Sequence, residues 1–278
     1  MAQAPALADE RRYRSLDALR GVAALSVVLL HFSNIFVDTN RADFERISDA
    51  IKLFAASPLG FLIEGSQAVL VFFVLSGFVL TLMLERGMHY GEYAVRRIAR
   101  LYIPYIASII CAIVLIQCFG SRPLPDQSKW LNEFLGVTVT RAEVVNHVLF
   151  IGNYDSEIFN FVIWSLVLEM RISLVFPALL AAVRRFGATR SILASLAVSL
   201  IVIAGVLLHA KFRPSPTLHY ILFFVVGINL ALHRVRISAW YASLTMSRRT
   251  LSAIARANSS PTFASSPCAS ASSSSVVT

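Results

Sequence analysis

A chain of 278 residues in which 56% are hydrophobic and 15% charged, with a mean hydropathy of +0.68, is too apolar for an ordinary soluble domain. Its formal net charge of +9 needs no nucleic acid partner, because the basic residues fall where membrane topology and anionic lipid would place them. The three cysteines, Cys111, Cys118 and Cys268, match neither a metal site nor a disulfide framework and read as packing residues.

Six segments are long and apolar enough to cross a hydrocarbon core of about 30 Å: 16–37, 63–85, 100–119, 159–183, 190–210 and 217–233. The expected fold is an all-α polytopic transmembrane helix bundle. The first apolar stretch is too long for a signal peptide and lacks a small-residue cleavage site, so it is expected to stay as a span. A weaker apolar patch at 144–151 reads as interfacial or packed within a loop. With loops assigned alternately, sixteen of the 25 lysines and arginines fall on the N-terminal side and eight on the other, leaving Arg171 inside a span. Both termini are therefore expected in the cytoplasm. Two longer loops, 38–62 and 120–158, then face outward, where Asp126, Asp155 and Glu157 could meet a substrate. The chain divides into a cytoplasmic segment 1–15, a transmembrane domain 16–236 and a Ser-rich tail 237–278. Such a tail cannot bury enough apolar surface to offset its ordering entropy and is expected to be disordered.

The first span reads RSLDALRGVAALSVVLLHF, in which Arg20 and His31 bracket ten almost wholly apolar residues. Eleven positions at about 100° each return both side chains, with Asp17, to one face and separate them by about 16 Å. A titratable group this deep in an apolar helix is a functional candidate. In the second span, FFVLSGFVL, Ser76 and Gly77 narrow the helix so that another backbone or a thin ligand can approach. YAVRRIARLYIPY places Arg96, Arg97 and Arg100 where the third span begins. Arg97 and Arg100 are neighbours on a helix surface and suit either positive-inside anchoring or a fork onto phosphates of a nucleotide-bearing ligand.

The fourth span, FNFVIWSLVLEMRISLVFP, buries Glu169 and Arg171. Ser165, Glu169 and Ser173 share one stripe, whereas Arg171 lies about 200° from Glu169 and faces elsewhere. Counted from the outer ends of their spans, His31 and Glu169 could approach at similar depth, where a carboxylate would fix the imidazole tautomer and raise its basicity. A proton relay, or a structural ion pair of Glu169 with Arg20, is equally physical.

In this order and at these intervals, the four segments resemble the membrane-bound acyltransferase family 3. The resemblance implies a polytopic enzyme that moves an acyl group, most often acetyl, from cytoplasmic acyl-CoA to a sugar hydroxyl of a cell-surface or lipid-linked glycan. It also implies a bacterial inner membrane and no metal. His31 matches the family's essential histidine, Arg20 the arginine eleven positions earlier, and Arg97 with Arg100 a donor-handling pair; Ser76, Gly77 and Glu169 carry over with their motifs. The expected chemistry has His31 as general base, Arg20 along the donor path, Arg97 and Arg100 on coenzyme A phosphates at the cytoplasmic face, and Glu169 orienting His31 or stabilising the bundle. An acyl-histidine intermediate is an alternative within the same class. A proton-coupled transporter using Arg20, His31 and Glu169 is an alternative from another class.

Two departures stand out. Family members usually have about ten spans of about 20 apolar residues each, whereas the resemblance here ends near residue 236 after six. The Ser-rich tail therefore reads as a truncated or frame-shifted end, and an inactive fragment is a further expectation. MRISL after Glu169 replaces an aromatic-rich QFYL-like sequence, which points to a subgroup and leaves the role of Arg171 open.

Overall fold

With no water in hydrocarbon to satisfy backbone groups, apolar runs of this length close their hydrogen bonds internally, as helices do. The computed structural model describes residues 4–37, 41–119, 124–135, 137–149, 157–208 and 215–245, and every regular element among them is helical. In chain order these are α1 (Ala4–Asn34), α2 (Ala42–Ala55), a short 3-10 turn (Gly60–Ile63), α3 (Gly65–Glu85), α4 (Tyr90–Phe119) and α5 (Lys129–Leu135). They are followed by α6 (Arg141–Leu149), α7 (Trp164–Phe186), α8 (Ala188–Leu207) and α9 (Thr217–Leu232).

Among the described residues five helices are long and apolar enough to cross a membrane: Ser15–Asn34 within α1, then α3, α4, α7 and α8. The sixth expected span, 217–233, is only the 16 residues of α9, about 24 Å at 1.5 Å per residue. It reaches spanning length only when counted together with Arg234–Thr245. The patch at 144–151 lies partly in α6, which is packed: the His147 ring sits 4.7 Å from Phe159 and Tyr102 donates to the Val148 carbonyl at 2.6 Å. The larger change of boundary is in α4. It begins at Tyr90, ten residues before the expected span, and runs unbroken for 30 residues.

Two compact units are present, Met1–Leu232 and His233–Thr278. The described part of the second unit is the helix Arg234–Thr245, whose first turn is closed by Ile237 N–H on the His233 carbonyl. Of the tail expected to be disordered, 237–278, residues 237–245 lie in that helix, and the rest falls outside the described residues.

Within the first unit α3 is central and packs on α1, α7 and α9. Its approach to α9 is backbone to backbone. A Cβ at Gly77 would collide with the Phe224 carbonyl and lie 3.0 Å from its Cα, and one at Gly227 would collide with the Val74 carbonyl and lie 2.8 Å from Phe78 N. Around this crossing Phe73 and Leu80 of α3, Ile172 and Phe176 of α7, and Phe224 and Ile228 of α9 are fully enclosed. A second core joins Tyr105 and Ile109 of α4 to Phe159, Ile163 and Val167. The outward faces of α4 and α8 keep large apolar side chains exposed, including Ile103, Ile110, Leu200 and Ile201, as lipid-facing helices do.

Gly77→Val and Gly227→Val are expected to lower the thermal unfolding midpoint in detergent, costing at least the ~1–3 kcal/mol typical of overpacking because backbone must move. Gly21→Ala, whose Cβ meets nothing within 4 Å, is expected to leave the midpoint unchanged or raise it.

Candidate active site

Proline at position 177 of α7 has no N–H for the carbonyl four residues earlier, that of Ser173. Tyr93 of α4 supplies the missing donor, its hydroxyl giving a hydrogen bond to the Ser173 carbonyl at 2.9 Å. Tyr90 donates to the next carbonyl, that of Leu174, at 3.1 Å. One helical turn along α4 from Tyr93, Arg97 turns into the bundle and is buried. Its guanidinium donates through Nη2 to Glu169 and through Nε to the Ser173 hydroxyl at 3.0 Å, while Ser76 of α3 donates to the same Glu169 oxygen at 2.7 Å. Three helices thus converge on one carboxylate.

This arrangement corrects three expectations. Glu169 does not go to His31 or to Arg20, because Arg97 and Ser76 take its carboxylate; Arg20 pairs instead with Asp17 on its own helix at 3.5 Å. Arg97 does not stand at the cytoplasmic edge offering its charge to phosphates. Its bonds to Glu169 and Ser173 put it at the level of Ser76, halfway along α3, and leave it enclosed. Gly77 offers no room for a ligand, since the α9 backbone occupies that space, and the Ser76 hydroxyl is committed to Glu169. Arg100, about 60° round α4 from Arg97, is exposed, and Arg96 forms a surface pair with Glu92 at 2.6 Å. Arg171 is half-buried and turned away from Glu169, as its position on the helix requires.

His31 stands apart from this network, on a cavity of about 560 Å³. The walls come from Val27 and His31 of α1, Gly65 and Val69 of α3, Trp130 and Glu133 of α5, and Trp164 and Ser165 of α7, with Glu157 and Phe161 from the chain before α7. The imidazole lies 5.8 Å from the Trp130 ring, which in turn packs 5.3 Å from Phe161. The His31 Nδ1 is buried and has no hydrogen-bond partner among the described residues. In hydrocarbon such a nitrogen costs free energy unless a ligand or a proton uses it. The volume falls within the range of small-molecule sites.

The stripe Ser165, Glu169, Ser173 is present as its spacing predicts, and it links the two features: Ser165 lines the cavity one turn from Glu169 in the network. Of the three loop acids, Glu157 reaches the cavity, Asp126 is not in its lining, and Asp155 lies outside the described residues. Sequence reasoning missed Tyr93 and Tyr90, although Pro177 in a transmembrane helix signals a carbonyl in need of a donor. It also missed Trp130 and Glu133, for which no spacing signal exists.

Removing one member of the buried pair leaves the other charge uncompensated. Arg97→Met alone is expected to cost about 3–5 kcal/mol of stability, and Arg97→Met with Glu169→Leu to recover most of it, as read from unfolding midpoints of the two single variants and the double.

The chain matches an acyltransferase domain, that of the acyltransferase 3 family, over residues 13–255, which carries the match past residue 236. It is also similar to acyltransferase MdmB from Streptomyces mycarofaciens, 28% identical over 181 residues that make up 64% of this chain and 42% of the relative. The chain thus spans less than half the length of that curated relative. No solved structure matches it. With most of its length matched, and with the arginine, histidine and glutamate motifs set in an all-α membrane bundle, the chain belongs to the acyltransferase 3 family.

Proposed function

We propose that this protein is an integral membrane O-acyltransferase that moves an acyl group, acetyl in the simplest case, from acyl-CoA to a sugar hydroxyl of a cell-surface or lipid-linked glycan. The observation that carries the reading is the His31 imidazole, with a buried, unpartnered Nδ1, on the wall of a cavity large enough for a sugar. A neutral imidazole there takes the proton from the acceptor hydroxyl as its oxygen attacks the thioester carbonyl. The tetrahedral intermediate collapses with cleavage of the C–S bond, and the imidazolium returns the proton to the departing thiolate.

Arg20 lies eleven residues back on the same helix, about 16 Å along the axis, a span that an extended pantetheine arm covers. Arg100 is exposed on α4 one turn beyond the buried Arg97. A guanidinium at that depth is costly against hydrocarbon and calls for an anion or a water-filled cleft. Arg20 and Arg100 are therefore the cations that receive the coenzyme A phosphates. Arg97 and Glu169 act as positioning residues, holding α7 so that Trp164 and Ser165 face His31. The transporter reading has less support, because a proton path through Glu169 would have to break its pair with Arg97.

Membranes with the wild-type chain, given radiolabelled acetyl-CoA, are expected to label envelope glycans. His31→Ala is expected to reduce that transfer by about 10²–10⁴-fold at equal membrane abundance. Undiminished transfer in His31→Ala would reject the general-base assignment. Arg100→Ala is expected to raise KM for acetyl-CoA with little change in kcat.

A further inference from the structure

The cavity on which His31 stands has an apolar neighbour. A second cavity, of about 370 Å³, is lined in part by Ser108, Cys111, Ala112 and Leu115, which helical spacing sets along one face of α4 over about 10 Å. The rest of its wall comes from α5 and the chain leading into α7, and Trp130, Phe161 and Val162 line both cavities. The two therefore adjoin, and the indole they share lies 5.8 Å from the imidazole. Cys111 and Leu115 are exposed on a helix able to cross the membrane, so this slot opens on hydrocarbon. No charged side chain lines it. Ser108 gives its proton to the Tyr105 carbonyl at 2.8 Å, and the Asn160 side-chain oxygen accepts from Val162 N–H at 3.0 Å. A sugar or a phosphate entering there would lose water without replacement, whereas a hydrocarbon chain loses nothing. The His31 cavity offers the opposite surface, with the imidazole and the Ser66 and Ser165 side chains in its lining. An apolar slot and a polar cavity that share one indole have the outline of an amphiphile.

We propose that the acceptor is a lipid-linked sugar whose hydrocarbon chain lies in this slot while its sugar lies beside His31, with Trp130 packed at the junction of chain and head. This rests on the reading of the His31 cavity as the acceptor site. Such a chain enters sideways from the bilayer, past Cys111 and Leu115, without leaving an apolar medium. Once seated, it tethers the sugar, and the hydroxyl meets the imidazole at the high effective concentration of an intramolecular event. A water-soluble glycan would use the polar cavity and leave the slot without a role.

The test is a short pulse of radiolabelled acetyl-CoA given to membranes carrying the wild type, Cys111→Phe or Ile110→Phe, with the labelled product passed over an octyl resin. Cys111→Phe fills the slot from its exposed rim, whereas Ile110, exposed on the same helix, is absent from the lining. The earliest wild-type product is expected to stay on the resin, as a sugar attached to a hydrocarbon chain does. At equal membrane abundance Cys111→Phe is expected to slow transfer about tenfold, as exclusion of about two buried methylenes would, with KM for acetyl-CoA unchanged. Ile110→Phe is expected to transfer like the wild type. Earliest product that passes through the resin, full transfer by Cys111→Phe, or an equal fall in Ile110→Phe overturns the proposal and leaves the acyltransferase reading standing. Absence of transfer by the wild type overturns the acyltransferase reading and the proposal together.

Discussion

The pairing of Arg97 with Glu169 is the constraint around which the bundle is arranged. Two ionised groups taken out of water cost several kcal/mol each, and only close pairing with further hydrogen bonds offsets that cost. Ser76 and Ser173 provide those bonds, so α3, α4 and α7 must meet at one depth and with one rotation of each helix. With α4 turned to bury Arg97, Tyr93 one turn earlier reaches Ser173, while Arg100, about 60° round the helix, is exposed. Once α7 is turned to present Glu169, Ser165 faces the His31 cavity a turn away.

Packing around the pair follows the rules of a bilayer rather than those of water. Lipid tails are as apolar as leucine, so helices gain little from hiding leucine from them and associate through close backbone approach and polar bonds. The Gly77 and Gly227 crossing provides the first of these, and the network on Glu169 the second. The Tyr93 bond to the carbonyl freed by Pro177 belongs to the same logic, since an unpaired carbonyl inside the membrane has no water to fall back on.

Separating the polar network from the histidine has a chemical consequence. A carboxylate bonded to His31 would raise its basicity, but Glu169 is held by a stronger partner. The imidazole is left beside aromatic rings, with a buried nitrogen that has no hydrogen-bond partner among the described residues. Arg20 lies back along α1, paired with Asp17 and outside the lining of the cavity on which His31 stands.

Length and hydropathy alone determined the long helices, the membrane and the first five spans, but not the short helices α2, α5 and α6 within what read as loops, because only a run of about 20 apolar residues has few other ways to satisfy its backbone. The motifs around Arg20, His31, Arg97 and Glu169 were enough to point to the family, and helical periodicity placed Ser165, Glu169 and Ser173 on one stripe. Which charge meets which was not legible. Arg97 precedes Glu169 by 72 positions, and spacing within one helix says nothing about the rotation of another. The same holds for Trp130 and Glu133, brought to the cavity by the short helix α5, and for Gly77, whose neighbour could be lipid, ligand or helix until α9 was in place. Local sequence sets which faces a helix has, but only the competition among all helices for close contact and for one buried carboxylate decides what each face meets.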